Sequence, residues 1–222
     1  MSLFLRPPCI LGVGKNYQDH IDELMGDRPQ YPVVFFKNPA SVISNGMAIK
    51  IPPIARTPEL GVDYEGELAI VLGRDALDVR VSDARNFISH VAVANDVSQR
   101  WWQKRIEGGQ WCRAKSFNTF CPLSEPVSIE SVGNLQDLTL ETWLNGELVQ
   151  QANTGSMIFS VADLISQLTT GTTLVAGTVI LTGTPGGVGM GRVPQRFLRH
   201  GDVVNVTIEG VGCLSNPVVE LD

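Results

Sequence analysis

The first half of the chain carries apolar runs and alternations that predict strands more often than helices. Residues 68–72 are all apolar, which is typical of a strand covered on both faces. Apolar positions recur at helical spacing in residues 16–25 and predict a short helix there. The same criteria predict three further strands, at 33–37, 48–52 and 90–96, and two further helices, at 81–89 and 97–108.

The second half of the chain is predicted to be mostly sheet. Two strand-like runs flank Asn145 and Gly146, a dipeptide that tolerates the positive φ angles of a tight hairpin turn. An amphipathic helix is predicted from Ser160, its N-cap, through the capping-box residue Asp163 to its stop at Gly171. Two more strands are predicted, within 178–189 and 202–212. Because the helices are inserted between strands rather than alternating with them, the pattern predicts a β-rich α+β fold.

Composition and charge narrow the class of partner. The chain has 222 residues, enough for one large domain or two small ones, and its 43% hydrophobic residues are ample for a core. With 17 basic against 23 acidic residues and a net charge of −6, it offers no basic field for nucleic acid or an anionic membrane. No apolar run approaches the roughly 20 residues of a membrane span, and the N-terminus resembles neither a signal peptide nor an anchor. The expected partners are therefore small molecules.

The number and spacing of the cysteines indicate the redox state of the cellular compartment. The chain has four, namely Cys9, Cys112, Cys121 and Cys213. They form no CxxC pair and no zinc-ligand spacing, and their neighbours are apolar, so we expect four buried, reduced thiols. Reduced thiols are typical of the cytosol, and a mitochondrial form trimmed of its transit segment would have the same sequence features.

Two glutamates interrupt the apolar pattern where the strand at 68–72 begins. Glu65 and Glu67 are two residues apart, so in an extended chain both side chains point to the same face. Asp96 ends a neighbouring predicted strand and is a third carboxylate that can converge on them. Three carboxylates without a paired His or Cys make an all-oxygen site, which suits Mg²⁺, Mn²⁺ or Ca²⁺ rather than zinc. In the competing interpretation the glutamates form a solvated strand end and Asp96 is a helix N-cap.

Cationic and amide side chains near these carboxylates suit an anionic substrate. Arg100 and Gln103 are three apart on a predicted helix, so they share a face and can lean over the same ion toward a carboxylate or enolate oxygen. Lys37 and Lys115 are lone lysines with apolar or aromatic neighbours, where an ammonium group is favourable only if it meets an anion. The alternatives are a solvent-facing polar helix and two ordinary surface lysines.

A candidate proton carrier lies near the N-terminus. His20 and Glu23 are three apart, so on a helical turn the carboxylate can orient the imidazole to take a proton from water. A surface histidine beside a glutamate is also common without such a role, and this alternative stays open.

The glycine-rich segment TGTPGGVG, residues 182–189, is a candidate substrate contact. It is neither a P-loop nor a dinucleotide-binding fingerprint, because no Lys-Ser/Thr pair follows the glycines and no helix opens there. Its backbone N–H groups and the Thr184 hydroxyl can nevertheless meet a substrate carboxylate. A tight connection between strands is the competing interpretation.

These residues belong to a longer series of motifs that resembles the fumarylacetoacetate hydrolase family. The series runs in order over nearly the whole chain, as GVGKNYQDHIDE, VVFFKNP, DYEGELAIVLG, VANDVSQR, WCRAKSFNTFCPL, LNGELVQ, MIFSVADLIS, ILTGTPGGVG and GDVVNVTIEGVG. The resemblance implies a mixed β-sandwich roll that forms a homodimer. It also implies one structural unit, in which residues 1–30 carry a lid-like helix and residues 31–222 form the catalytic domain.

The resemblance implies a role for each candidate residue. The metal ligands, for Mg²⁺ or else Mn²⁺ or Ca²⁺, map onto Glu65, Glu67 and Asp96. The catalytic residues map onto His20, Glu23 and Lys115, and the substrate-binding residues onto Lys37, Arg100, Gln103 and Thr184. Trp101 departs from the family pattern, since many members have an acidic residue there. We expect the protein to lack the extra N-terminal domain of the tyrosine-degradation enzyme, which argues against fumarylacetoacetate as the substrate.

The implied activity is chemistry on small 2-oxo or 2,4-dioxo carboxylates through a metal-stabilised enolate. We expect hydrolysis of a carbon–carbon bond, as in acylpyruvates, or decarboxylation of oxaloacetate. The alternative is keto–enol tautomerisation of oxaloacetate, and RWWQKRIEGGQW and GRVPQRFLRHGD most resemble tautomerase-type members. A hypothesis from another class is a non-catalytic β-rich module that uses the same carboxylates for structural Ca²⁺.

Overall fold

The computed structural model describes residues 6–57, 59–106 and 108–222. Its strands are β1 (Ile10–Gly14), β2 (Val33–Lys37), β3 (Val42–Ser44), β4 (Ile49–Ile51), β5 (Val62–Asp63), β6 (Gly66–Leu72), β7 (Ile88–Asn95), β8 (Ser98–Gln99), β9 (Cys121–Leu123), β10 (Val127–Ser128), β11 (Thr139–Leu144), β12 (Glu147–Asn153), β13 (Val179–Leu181), β14 (Val203–Ile208) and β15 (Gly212–Glu220). Its α-helices are α1 (Gln18–Glu23), α2 (Arg100–Lys104), α3 (Trp111–Ala114) and α4 (Val161–Thr169). None of the helices in the described ranges is long and apolar enough to cross a membrane.

The strands form two main sheets. The larger has eight strands in the order β2-β1-β13-β6-β7-β9-β3, with β10 paired to β7. The smaller has five, in the order β12-β11-β14-β15-β4, and β5 pairs with β8 in a separate ribbon. Both sheets are mixed, because β1 is parallel to β13 but antiparallel to β2, and β4 is parallel to β15. The predicted β-rich α+β fold of the mixed β-sandwich type is therefore confirmed.

The central strand β6 is buried along its whole length, as its apolar run predicts. Leu68 and Ile70 enter the main core, to which both sheets contribute. Ala69 and Val71 enter a smaller apolar cluster on the opposite face. Full burial of one such leucine or isoleucine contributes roughly 1.5–3 kcal/mol. Because side chains alternate along a strand, Glu67 shares its face with the smaller cluster.

The N-terminal segment contributes a strand to the same sheet as the rest of the chain. The sequence pattern did not predict β1, which lies between β2 and β13, because glycines interrupt its apolar residues. Gly12 is required there, since a Cβ atom would lie 2.2 Å from the Phe35 ring on β2.

Two helices predicted in the first half differ from those observed. α1 covers only Gln18–Glu23 of the predicted 16–25. Residues 81–87 form a 3-10 helix rather than an α-helix, and the chain is already extended at Ile88, where β7 begins.

The helix predicted at 97–108 is wrong at both ends. Ser98 and Gln99 are extended and pair with β5, and α2 ends at Lys104. The N-cap of α2 is Gln99, whose side-chain oxygen accepts a hydrogen bond from the Trp102 N–H at 2.8 Å. Asp96 therefore does not cap this helix, contrary to the alternative interpretation of its sequence position.

The hairpin and the long helix of the second half are confirmed. β11 and β12 are joined through Asn145 and Gly146, whose φ angles are +53° and +83°. α4 begins with the predicted capping box between Ser160 and Asp163. It ends at Thr169, before Gly171 with its φ of +66°.

The four cysteines are free thiols, as their spacing predicts, but the expectation that all are buried is wrong. Cys121 is buried and Cys9 is partly buried, whereas Cys112 and Cys213 are exposed. Apolar neighbours in sequence do not ensure burial, because successive side chains of a strand such as β15 point to opposite faces.

Asn16 fixes the junction between β1 and α1. It is fully buried, and its Nδ2 donates to the Thr182 carbonyl at 2.7 Å and to the Phe159 carbonyl at 3.1 Å. Its Oδ1 accepts a hydrogen bond from the Phe159 N–H at 2.8 Å. One side chain therefore ties the N-terminal segment to two distant parts of the chain.

We expect Asn16→Ala to lower the free energy of unfolding by about 2–4 kcal/mol, because buried backbone groups lose their hydrogen-bond partner. Urea unfolding followed by circular dichroism measures the change. Gln18→Ala is the control, since it removes one exposed hydrogen bond to Asp22, and it should change stability by less than about 0.5 kcal/mol. Equal stability of the two variants would contradict the structural role of Asn16.

Candidate active site

Three carboxylates meet where β6 begins and β7 ends. Oxygen atoms of Glu65, Glu67 and Asp96, here called the acidic cluster, lie within 4.8 Å of one another. The strand pairing positions them, because the Asp96 N–H donates to the Glu65 carbonyl at 2.8 Å and Asn95 Oδ1 accepts from the Glu65 N–H at 3.0 Å. Residue exposures of 4%, 1% and 0% show that the solvated strand end considered above is wrong.

Two lysine ammonium groups contact the acidic cluster. Lys115 Nζ lies 2.6 Å from Glu65 Oε2 and 2.5 Å from Asp96 Oδ2. Lys37 Nζ lies 2.5 Å from Asp96 Oδ1, and its side chain has no exposed surface. Both lysines thus meet anions in the buried interior, so the surface-lysine alternative is wrong.

Arg100 lies beside the acidic cluster and contacts two carboxylates. Its Nε donates to Asp63 Oδ2 at 2.9 Å, and its Nη1 lies 2.7 Å from Glu65 Oε1. Nη1 also donates to Gln103 Oε1 at 2.9 Å, so the predicted shared face of Arg100 and Gln103 is observed and is buried rather than solvent-facing. Arg100 Nη2 is buried without a hydrogen-bond partner among the described residues.

Asp63 is a site residue that the sequence reasoning missed. Besides Arg100, it accepts hydrogen bonds from the N–H groups of Tyr64 at 2.9 Å, Gly189 at 2.8 Å and Met190 at 3.0 Å. One buried carboxylate therefore fixes both the guanidinium and the glycine-rich loop. Its position two residues before Glu65 was a usable signal, because alternate residues of an extended chain share a face.

The acidic cluster retains uncompensated negative charge at Glu67. This carboxylate accepts a hydrogen bond from the Gly183 N–H at 2.7 Å but forms no ion pair with any described residue. Burial and the nearby Asp96 and Glu65 carboxylates raise the pKa of Glu67 well above its ordinary value. At Glu65, burial is outweighed by the charges of Lys115 and Arg100, which hold its pKa below the ordinary value.

The donor set of the acidic cluster fits a divalent metal ion. Its members offer only carboxylate oxygens, the ligands that Mg²⁺, Mn²⁺ and Ca²⁺ prefer. A cation would bind most favourably beside Glu67, because a buried carboxylate without a counter-charge strongly destabilises the folded state.

The imidazole of His20 is held by a chain of two hydrogen bonds. His20 Nδ1 lies 2.8 Å from Glu23 Oε1, as the spacing predicts. Glu23 Oε2 accepts a hydrogen bond from the Gly187 N–H at 2.8 Å. His20 is 7% exposed, so the alternative of an ordinary surface pair does not apply.

The glycine-rich loop donates its N–H groups to carboxylates of the protein itself. Three of these hydrogen bonds join Gly183 to Glu67, Gly187 to Glu23 and Gly189 to Asp63. For these three N–H groups, the expectation that they meet a substrate carboxylate is therefore wrong. Gly187 is required, because its φ is +100° and a Cβ atom would lie 1.9 Å from the Val149 carbonyl oxygen.

A cavity of about 80 Å³ opens onto the acidic cluster. Seven of the ten predicted site residues line it, and the other three, Glu23, Lys37 and Asp96, lie behind this lining. The Thr184 hydroxyl lines it but donates to the Gly66 carbonyl at 3.0 Å and accepts from Gln150 Nε2 at 2.8 Å. His20 thus shares one small space with Glu65 and Glu67 of the acidic cluster.

Three other side chains of the cavity lining were not found from the sequence. They are Lys15 after β1, Lys104 at the end of α2 and Trp111 at the start of α3. Lys104 Nζ lies 5.9 Å from the centre of the Trp111 ring. Their sequence positions carry no spacing signal, because the fold rather than a local motif brings them together.

Comparison with known proteins supports the resemblance seen in the motifs. A family model described as "Fumarylacetoacetate (FAA) hydrolase C-terminal" matches residues 9–219. Among solved structures, a putative HpcE protein from Mycobacterium smegmatis is similar with a TM-score of 0.92 and 36% sequence identity. The match covers 100% of this chain and 77% of that protein.

Two curated relatives are similar in sequence. The mitochondrial oxaloacetate tautomerase FAHD2A of Homo sapiens is 40% identical over 215 residues, which are 96% of this chain and 67% of that protein. Oxaloacetate tautomerase YisK of Bacillus subtilis (strain 168) is 40% identical over 213 residues, 94% of this chain and 69% of that protein. The chain thus spans about two thirds of the length of these relatives.

We expect Mg²⁺ to raise the melting temperature of the protein and Glu67→Gln to abolish this rise. A ligand at about 100 times its Kd stabilises the folded state by about 2.7 kcal/mol. The substitution removes one oxygen ligand and the uncompensated charge while keeping a side-chain amide oxygen for the Gly183 N–H. Without metal, we expect the variant to be at least as stable as the wild type.

Differential scanning calorimetry with Mg²⁺ and with a chelator measures both effects. Glu125→Gln is the matched control, because Glu125 is exposed, and it should keep the wild-type response. An undiminished Mg²⁺ response in Glu67→Gln would contradict the metal assignment, as would the lack of any response in the wild type.

Proposed function

The chain belongs to the fumarylacetoacetate hydrolase family of enzymes, and on that premise we propose that it catalyses keto–enol tautomerisation of a small 2-oxo acid. Oxaloacetate is the expected substrate and Mg²⁺ the expected cofactor, with Mn²⁺ as a substitute. The names of the two relatives at 40% identity support tautomerisation over the hydrolysis or decarboxylation expected first from the sequence.

The observation that carries this proposal is that His20 lines the same cavity as Glu65 and Glu67 of the acidic cluster. Tautomerisation requires a group that moves a proton at C3 and positive charge that stabilises the oxygen on C2. It requires no nucleophile and no leaving group. A proton carrier and a set of buried cations in one small space are therefore sufficient.

His20 is oriented to exchange its proton through one nitrogen. The Glu23 carboxylate can only accept a hydrogen bond, so Nδ1 of His20 carries the hydrogen between them. This leaves Nε2 to accept the C3 proton in the keto-to-enol direction, while the oxygen on C2 takes a proton from water and the imidazolium returns its own proton to water. In the reverse direction the enol oxygen loses its proton to water and Nε2 delivers a proton to C3. Because the Gly187 N–H holds Glu23, the imidazole keeps its orientation during this exchange.

Lys115 and Arg100 place positive charge where the oxygen on C2 becomes negative. Both line the cavity, and Arg100 Nη2 is a buried donor for which the described part of the chain offers no acceptor. A divalent ion held by the acidic cluster would bind the 2-oxo acid through oxygen and draw negative charge from C2. Lys37 does not line the cavity, but its ammonium group forms an ion pair with Asp96 and so holds that carboxylate in place.

The size of the cavity suits a short substrate. A bound water requires roughly 10–15 Å³ of such space, so about 80 Å³ corresponds to about five to eight water molecules. Oxaloacetate, with four carbons, is of this size, whereas a long acyl chain would have to extend out of the cavity.

Cleavage of a carbon–carbon bond is the second candidate function. The His20–Glu23 pair favours it, because a pair of this kind also activates water for attack on a 4-oxo group. Pyruvate release distinguishes it from tautomerisation, which conserves every carbon of the substrate. The non-catalytic calcium-binding module considered from the sequence is wrong, since the family is one of enzymes.

We also infer a homodimer from the family resemblance, together with a cytoplasmic or mitochondrial-matrix location. Light scattering on the purified protein measures the assembly state, and a monomer at working concentration would contradict the dimer.

We expect His20→Ala to lower kcat/KM for the enol form of oxaloacetate by about 10²–10⁴-fold, because the proton carrier is lost. The same variant should keep the effect of Mg²⁺ on the melting temperature, because the acidic cluster is intact. Ultraviolet absorbance of the enol measures the rate, with pyruvate assayed in the same samples. The exposed His200 provides the control, and His200→Ala should react at the wild-type rate.

Two results would contradict this account in different ways. If the enol decays at the wild-type rate in His20→Ala, His20 does not transfer the proton. If the wild-type protein forms pyruvate as fast as the enol decays, its reaction is decarboxylation rather than tautomerisation.

A further inference from the structure

Two lysines at the cavity have no anionic partner among the residues that the structure describes. Lys15 and Lys104 both line the cavity beside Arg100 and Lys115. Among the hydrogen bonds and ion pairs of the described residues, none involves the ammonium group of Lys15 or Lys104. The closest described interaction of Lys104 is with the ring of Trp111. These ammonium groups therefore add positive charge that the fold does not use.

Basic side chains are concentrated at this cavity, although the chain as a whole is acidic. The chain carries a net charge of −6, yet four basic side chains line one cavity. Lys104 is exposed at one side of the cavity, and desolvation together with the positive charges of Arg100 and Lys15 lowers its pKa, outweighing the opposing charge of Glu65. Such an arrangement is stabilised by an anion that enters from solution.

The backbone at Lys15 adds a second, independent observation. Lys15 follows β1 with a φ of +58°, a left-handed conformation that residues other than glycine adopt rarely. Holding a lysine in this conformation is unfavourable, and such strain is found preferentially at ligand-binding positions. The left-handed residue Lys15 is also one whose side chain lines the cavity, so the strained position and the candidate binding position coincide.

We propose that Lys15 and Lys104 bind the distal carboxylate of the substrate and so select dicarboxylic over monocarboxylic 2-oxo acids. Arg100 and Lys115, which contact the acidic cluster, serve the 2-oxo acid end of the molecule. Lys15 and Lys104 contact no member of that cluster, so the two ends of a dicarboxylate have separate cationic partners. This inference rests on the proposed function for the class of substrate, but it concerns binding rather than proton transfer.

The test compares two ligands that differ only at the distal end. Oxaloacetate carries a carboxylate there, and 2-oxobutyrate carries a methyl group on the same carbon skeleton. Dissociation constants of both are measured in the presence of Mg²⁺ by quenching of tryptophan fluorescence, since Trp111 lines the cavity. The proteins are the wild type, Lys15→Met, Lys104→Met and the double variant, with Lys50→Met as a control at an exposed lysine on β4.

We expect the double variant to bind oxaloacetate at least about tenfold more weakly, because charge-assisted hydrogen bonds to the distal carboxylate are lost. Its affinity for 2-oxobutyrate should stay within twofold of the wild type, and each single variant should show part of the effect. The preference of the wild type for oxaloacetate should also decrease at high salt. Lys50→Met should behave as the wild type with both ligands.

An equal loss of affinity for both ligands would overturn the inference, because the lysines would then act on the cavity as a whole. Unchanged affinity for oxaloacetate would overturn it as well. A wild-type protein that binds oxaloacetate through these lysines but does not tautomerise it would leave the inference standing and refute the proposed function. Melting curves of each variant verify that the folded state is retained.

Discussion

Four carboxylates and three cations lie together in a part of this protein that water hardly reaches. The carboxylates are Asp63, Glu65, Glu67 and Asp96, and the cations are Lys37, Arg100 and Lys115. Removing each ion from water costs several kcal/mol, and the attraction between partners offsets this cost only when their geometry is favourable. The pairing of β6 with β7 provides that geometry, since it sets Asp96 beside Glu65 through a backbone hydrogen bond. The site therefore depends on the register of two central strands.

The glycine-rich loop connects this charged interior to the proton carrier. Its N–H groups are held by Glu67 at one end and by Asp63 at the other, and between them Gly187 holds Glu23, which orients His20. Glycine is needed at the centre because of the close approach of the Val149 carbonyl. The interior carboxylates and the imidazole are thus joined by hydrogen bonds to one loop, although α1 belongs to a different part of the chain.

The sequence predicted those features that are encoded locally. The apolar run of β6, the Asn145–Gly146 turn and the capping box of α4 each follow from a few neighbouring residues. Alternation along a strand also indicated that Glu65 and Glu67 share a face. Short strands such as β3, β9 and β10 gave no pattern, because two or three residues are too few to show a period. The start of α2 was misplaced because Ser98 and Gln99 pair with β5, a contact that is distant in sequence.

The same distinction explains which site residues were found. Spacing within one segment identified the Glu65–Glu67 pair and the His20–Glu23 pair, and Asp96 was found at the end of a neighbouring predicted strand. Lys15 and Lys104, in contrast, meet only in the folded chain. In the proposed reaction, groups of this cavity move one proton at C3 and leave the carbon skeleton of the substrate intact. Proton NMR of oxaloacetate in D₂O with the Mg²⁺-loaded protein measures both properties at once. We expect enzyme-dependent entry of deuterium at C3 much faster than any formation of pyruvate, whereas pyruvate appearing at the rate of deuterium entry would rule out tautomerisation as the main activity.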